Sequence, residues 1–415
     1  MQNRINNIKS LYIETAFKGC FNISLDCNYY KELFLQNSYF IVKTPKKASV
    51  ILLAMCTGES HAQRLSTSLF NRLKKYKERG AEVVIGGCIT TLEKKEFTQK
   101  GYFAFTTEES KLLSEHLNLK VFLPNSNIRD SLDIHQACLD TKKWIAVRTL
   151  AKIFRDLSSS LKLPFSGVIG RFLNVTRAYE QNSCIIRVSK GCAGKCTYCT
   201  EREARGALQS RPIETIINEI KEKLGMSYNH FTLVSDDLGF YGLDIRLNFC
   251  DLLKSILSLN GNFTLTLRCL NPQCLIKNID EFVKIIVPGR ITDIESPVQS
   301  GNNRILSKMG RGYRIEGYIQ AFKRILEKDP RIAIKTHIIV GFADETEAEF
   351  NDTISLVNNI PIDKCNITYY TVNTGTPASL FDNRVSQKEK ISRHRKLVFA
   401  LLKSYLRRSL KKSGH

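Results

Sequence analysis

The chain of 415 residues is 43% hydrophobic and 25% charged, and its 62 Lys/Arg against 40 Asp/Glu leave a net charge of +22. That length suggests two or three domains, and the composition is globular, which excludes wholesale disorder. The longest apolar runs, such as Val50–Met55, fall far short of the roughly 20 residues a membrane span needs. The opening MQNRINNIKS has no apolar signal core, so no membrane association is expected and the cytoplasm is the expected location. The surplus positive charge favours a polyanionic partner, most simply nucleic acid.

In chain order, the first element is the Leu11–Thr15 run, followed after a few loop residues by Cys20 in YIETAFKGC. Cys56 ends the apolar run ASVILLAMC, and Cys88 ends AEVVIGGC. Between these runs Ser60–Arg79 carries Leu65, Leu69, Leu73 and Tyr76 at helical spacing. Alternating strand and helix predicts a parallel open sheet, whose C-terminal strand ends share one ligand-binding edge. Either the three cysteines converge at that edge, or they are ordinary buried or loop cysteines. The chain has 13 cysteines, an odd number, and no export signal, which favours metal or redox chemistry over a disulfide framework. Cys27, Cys138, Cys184, Cys250, Cys269, Cys274 and Cys365 are scattered and read as small buried hydrophobes.

The predicted organisation is an N-terminal domain over 1–125, a linker over 126–183, a second domain over 184–382 and a basic helix over 383–415. The second domain opens on the strand-like Cys184–Val188, followed directly by KGCAGKCTYCT, a CxxxCxxC run of Cys192, Cys196 and Cys199. Three thiolates this close can wrap one compact metal centre. A structural zinc site wants four ligands, and a [4Fe–4S] cube usually has four thiolates. Three would leave one iron open. The alternative is a zinc knuckle completed by a distant His or Cys. The spacing of three then two, with Tyr198 before the last cysteine, favours the open cluster. Further strands are predicted at His230–Ser235, Thr264–Leu267, Asp293–Pro297, Ile332–Val340 and Cys365–Tyr370, with helices such as Ile213–Leu224 and Arg314–Glu327 between them.

CxxxCxxC after a first strand resembles the radical S-adenosylmethionine (SAM) enzymes. The longer stretch GCAGKCTYCTEREARGALQSRP resembles the methylthiotransferase family, and within it the branch that modifies N6-threonylcarbamoyladenosine in tRNA. The likeness continues through LVSDDLGFYGLDI (233–245), SPVQSGNNRILSKMGRGY (296–313), IIVGFADET (338–346) and NTGTPA (373–378), covering most of residues 10–380. The resemblance implies an α/β protein: an N-terminal open parallel sheet domain, then a partial (β/α)6 radical SAM barrel. It implies two [4Fe–4S] clusters and SAM. Cys192, Cys196 and Cys199 would hold the cluster that binds SAM, and Cys20, Cys56 and Cys88 the one that carries sulfur. Tyr198, Ser235, Asp236, Gln299, Ser300 and Gly341 fall where the family holds SAM. The implied reaction inserts a methylthio group at an unactivated C–H, C2 of the modified adenosine beside the anticodon. The chemistry is carried by the clusters and SAM, so no catalytic side chain is assigned. The implied partners are tRNA and an electron-donor protein.

The sequence departs from that pattern in several places. Family members usually end in a small RNA-gripping β-barrel, the TRAM module, and the residues after NTGTPASLFDN are too few to form one. They read as a helix with an apolar stripe of Val398, Leu402 and Tyr405 beside Leu397 and Leu401. Residues 384–415 hold eleven Lys/Arg against the single acid Glu389. The helix is therefore expected either to contact phosphates in place of the module or to pack as a terminal helix with a solvated basic face. Glu295 stands where the family usually has His, His337 where it has Asp, and Asn373-Thr374 where an Arg often precedes GTPA. Lys74–Lys77 and Lys94-Lys95 read as solvated helix faces. The first reading is thus a tRNA methylthiotransferase. The alternatives are a sulfur-inserting radical enzyme acting on a peptide or protein, and a degenerate RNA-binding protein.

Overall fold

The computed structural model describes residues 9–16, 20–56, 60–121, 130–133, 182–382 and 385–411. The expected linker 126–183 lies outside them apart from 130–133 and 182–183, as does Cys138. The chain divides into two compact units. One comprises Met1–Asp140, Lys190–Cys192 and Cys199–Gln209, and the other Thr141–Ser189, Ala193–Tyr198 and Ser210–His415.

The first unit alternates β1 (Ser10–Thr15), α1 (Phe21–Gln36), β2 (Phe40–Ile41), β3 (Val50–Cys56), α2 (Ser60–Leu73), β4 (Glu82–Cys88), α3 (Thr91–Gln99), β5 (Phe103–Ala104) and α4 (Ser110–His116). Its strands are all parallel, in the order β2-β1-β3-β4-β5. Parallel strands covered on both faces read as unbroken apolar runs, and VILLAMC of β3 is one. Alternate residues serve opposite faces. Ile51, Leu53 and Met55 pack with Leu69 and Leu73 of α2, while Val50 and Leu52 pack with Leu33 and Phe34 of α1. The predicted helix over Ser60–Arg79 ends at Leu73 and tightens into a 3₁₀ turn over Lys74–Tyr76, and Leu65 of its stripe stays 37% exposed. The strand order reverses between β1 and β3, which is the topological switch point of such a sheet.

In the second unit six parallel strands pair in sequence order: β6 (Ser183–Arg187), β7 (His230–Val234), β8 (Thr264–Leu267), β9 (Ile291–Glu295), β10 (Ala333–Val340) and β11 (Ile362–Tyr369). Helices follow each strand: α5 (Glu201–Arg205) and α6 (Ile213–Gly225), α7 (Phe249–Leu257), α8 (Pro272–Lys277) and α9 (Ile279–Ile285), α10 (Asn303–Lys308) and α11 (Ile315–Lys328), α12 (Glu347–Asn359), and α13 (Gln387–Lys411). This is the expected partial (β/α)6 arrangement, with α5 itself grouping with the first unit. Its core joins Ile186, Leu233, Leu265, Ile294 and Ile334 of the strands to Ile220, Phe249, Phe322 and Leu356 of the helices. Among the described residues no helix is long and apolar enough to cross a membrane.

Candidate active site

In the first unit the site is built by strand register. Cys56 and Cys88 are Cα partners at the C-terminal ends of β3 and β4, so their side chains share one face of the sheet. Cys20, after β1, is the N-cap of α1 and packs with Cys56 against Ile23, Cys27 and Ala54. Cys20 and Cys56 therefore flank the β1/β3 switch point, the edge where sheets of this order bind ligands. The positive end of the α1 dipole lies at Cys20 and favours negative charge there. Gly87 is required beside this edge. Its φ of +105° suits glycine, and a Cβ would sit 2.7 Å from the Met55 carbonyl oxygen.

Among the described residues no three His, Cys, Asp or Glu side chains converge on a point that would hold one ion. That geometry belongs to single ions, whose sulfur ligands lie about 2.3 Å away. A cube takes each thiolate on a different iron and holds its ligands further apart.

The CxxxCxxC loop is tied down at both ends. In the second unit Thr197 donates its N–H to the Met309 carbonyl at 3.0 Å and its hydroxyl to the Lys308 carbonyl at 2.7 Å. Gly310, at φ +70°, lets the backbone approach Lys195, whose carbonyl oxygen would lie 2.5 Å from a Cβ. Arg311 Nη1 donates to Cys196 Sγ at 3.3 Å and Nη2 to the Pro297 carbonyl at 2.8 Å, while Nε is buried with no hydrogen-bond partner among the described residues. In the first unit the Glu201 N–H donates to Cys199 Sγ at 3.4 Å. Arg205 of the same loop is consumed internally, in a buried ion pair with Asp26 at 2.6 Å.

The strand ends of the second unit sort the other candidates. Ser235 is buried, shares a 2.6 Å hydrogen bond with Ser189 and accepts the Asp237 N–H. Asp237 accepts from Gly239 N–H at 3.0 Å and Asn271 Nδ2 at 2.6 Å, so it caps the following turn. Burial pushes its carboxyl up to about 6 against these hydrogen bonds. Asp236 lies between them, part-exposed. Gln299 bridges to β10 through its backbone at φ +68°, and its side-chain Oε1 is buried with no hydrogen-bond partner among the described residues. Ser300 is buried and accepts the Asn302 N–H. Tyr198 stacks edge-on to Phe342 at 6.2 Å, next to Gly341. The Gly341 N–H donates to Glu345, which Arg393 of α13 holds at 2.9 Å.

Two of the three departures from the family pattern meet. His337 Nε2 lies 3.5 Å from Glu295 Oε1, so acid and imidazole have exchanged sides across neighbouring strands. The third does not join them: Asn373 Nδ2 donates to the Tyr198 carbonyl at 3.3 Å and steadies the cysteine loop.

A family model described as the Radical SAM superfamily matches residues 186–357, and one described as Uncharacterized protein family UPF0004 matches residues 11–106. A "Probable threonylcarbamoyladenosine tRNA methylthiotransferase" of Archaeoglobus fulgidus is 29% identical over 82% of this chain and 72% of its own length. The "Threonylcarbamoyladenosine tRNA methylthiotransferase MtaB" of Thermotoga maritima is 27% identical over 93% and 80%. The chain belongs to the radical SAM methylthiotransferase family. A second methylthio-forming relative, the "tRNA-2-methylthio-N(6)-dimethylallyladenosine synthase" of Clostridium tetani, is 34% identical over 54% of this chain and 50% of its own. Among solved structures, the radical SAM methyltransferase TsrM of Kitasatospora setae covers 90% of this chain and 77% of its own at 11% identity, with a TM-score of 0.57. The cobalamin-dependent radical SAM enzyme OxsB covers 93% and 56% at 11% identity, with a TM-score of 0.52. These two likenesses concern the fold.

As a radical SAM methylthiotransferase, the chain is an iron–sulfur transferase whose fold implies SAM and a [4Fe–4S] cluster. The residues present fit such groups. Gln299 Oε1 and Arg311 Nε are buried polar atoms that want a partner, and hydrogen-bond donors reach two of the three loop sulfurs. Arg311 is the residue that sequence reasoning missed. It stands in the GRGY stretch 310–313, 115 positions from Cys196, with nothing local to mark its target.

Proposed function

We propose that this methylthiotransferase inserts a methylthio group at C2 of an N6-substituted adenosine near the anticodon of tRNA, threonylcarbamoyladenosine being the first candidate. The observation that carries the reading is the second set of thiols. Cys56 and Cys88 stand in register with Cys20 beside them, at the ligand edge of a sheet separate in sequence from the CxxxCxxC loop. One cluster suffices for radical transfer, and a second gives inserted sulfur a source. In this reading Cys20, Cys56 and Cys88 hold the auxiliary [4Fe–4S] cluster, and Cys192, Cys196 and Cys199 hold the one that binds SAM.

When bound, that cluster and SAM supply the radical that takes hydrogen from an unactivated carbon. The chain's own residues orient and enclose. Asp236, Gln299, Tyr198 and the Gly341 turn would hold SAM, while Ser235 and Ser300 hold the turns that would carry the contacts. Arg311 steadies Cys196. An electron-donor protein is the second partner.

The names of the relatives support tRNA, and they divide between a threonylcarbamoyl and a dimethylallyl substituent. Mass spectrometry of nucleosides from tRNA incubated with the reconstituted protein, SAM, reductant and sulfide tests the proposal. A methylthio-adenosine derivative is expected. An unchanged nucleoside profile with continued SAM cleavage would move the substrate to a peptide.

A further inference from the structure

The second unit gathers a polar cluster from three neighbouring strands, at the C-terminal ends of β8 and β9 and within β10. Arg268 follows β8, Glu295 ends β9 and His337 lies in β10. Arg268 Nη2 reaches Glu295 Oε2 at 3.1 Å, and His337 Nε2 reaches Oε1 at 3.5 Å. Burial works to raise the Glu295 carboxyl, but Arg268, His337 and Lys335 outweigh it and hold it well below the usual carboxylate range. Behind it Lys335 pairs with Asp293 at 2.6 Å. Lys364, the Cα partner of Lys335 on β11, has its charge disfavoured by enclosure and then by the cations Lys335 and Arg268.

Exposure gives the cluster its direction. The Glu295 side chain is 7% exposed, against 24% for Arg268 and 31% for His337. The acid is sealed, and the guanidinium and the imidazole are the more exposed groups. What arrives from solvent meets a guanidinium and an imidazole already aligned by a buried carboxylate.

We infer that Arg268 and His337 form a subsite for a carboxylate carried by the substrate's N6 substituent. This rests on the tRNA reading above and chooses within it. A threonylcarbamoyl group ends in a carboxylate, which a guanidinium receives through charge-assisted hydrogen bonds. A dimethylallyl group is wholly apolar, and packing it here would strip water from charged groups and return nothing. Glu295 is a positioning residue in this arrangement, and Arg268 and His337 make the contact.

The test uses the reconstituted full-length holoenzyme and three anticodon stem-loop RNAs, bearing threonylcarbamoyladenosine, its methyl ester or N6-dimethylallyladenosine. The acid should be the best substrate. Esterification should lower kcat/KM about ten- to a hundred-fold, chiefly through KM, the size expected for a hydrogen bond to a charged group. Arg268→Gln should impose the same loss on the acid and a markedly smaller one on the ester, and Arg268→Lys should recover part of the loss on the acid. Iron content and SAM cleavage establish that each variant is intact. Equal turnover of acid and ester by the unaltered enzyme, or preference for the dimethylallyl RNA, overturns the inference alone. Turnover of none of the three overturns the tRNA reading and the inference with it.

Discussion

Arg311 is the side chain whose removal is most informative about the CxxxCxxC loop. Its guanidinium donates to Cys196 Sγ and is anchored by the Pro297 carbonyl. A donor and a positive charge beside a ligand sulfur favour the more negative, reduced cluster. Arg311→Met should therefore lower the reduction potential by about 60 mV, one tenfold step for a single electron. Redox titration followed by electron paramagnetic resonance reads this without turnover, and an unchanged potential would show that Arg311 is only packing. Asp237 gives a second prediction. Its folded pKa, about 6, lies above the unfolded value near 4. The folded state then holds the proton more tightly, so the stabilisation is full below pH 4 and is lost as pH rises through 6, up to about 3 kcal/mol. Urea denaturation should record that fall, and Asp237→Asn should flatten it. The cysteines were legible because spacing and strand ends mark them. Arg311 and the Glu295–His337 contact were not, because each joins residues distant in sequence that only the barrel brings together.

Among the elements, the strands of the second unit were legible to within three residues at either end, since buried parallel strands leave β-branched runs between helices. The terminal helix α13 was legible as a helix but not in its phase. The apolar stripe predicts Val398 and Leu402 inward, yet they are 46% and 53% exposed, and Phe399 is 67% exposed. Of the predicted stripe, Leu397 is buried and Leu401 packs partly buried against the core, and the rest of the inward face is Lys390, Arg393 and Ser404. Lys390 Nζ donates to the Tyr370 carbonyl at 2.8 Å, Arg393 pairs with Glu345 at 2.9 Å, and Ser404 donates to the Val357 carbonyl at 3.1 Å. A helix docked largely by polar groups leaves only a short apolar spacing, Leu397 and Leu401, to set its phase. This face follows the packed alternative, while Arg395, Lys396, Lys403 and Arg407 remain exposed. Arg393→Ala leaves the buried Glu345 carboxylate without its cation and should cost about 3–5 kcal/mol in denaturation. Leu402→Gln, on the exposed side, should stay within about 0.5 kcal/mol. Equal costs would mean that the polar face does not hold the helix.

For the whole molecule, the two parallel α/β units follow from the alternation of apolar runs and helical stripes. The division of the CxxxCxxC loop between them was not readable from spacing. Arg205, in the motif that carries the family likeness, is spent on a buried pair with Asp26, so the charge available for RNA lies elsewhere in the net +22. The proposed function rests on a pair of three-thiol sets, Cys20, Cys56 and Cys88, and Cys192, Cys196 and Cys199. Iron and sulfide analysis of the anaerobically reconstituted full chain, beside a variant with Cys20, Cys56 and Cys88 all changed to Ala, tests this most directly. Two cubes predict about eight irons per chain and about four in the variant; about four in both, or stoichiometric zinc in place of iron, would contradict the account.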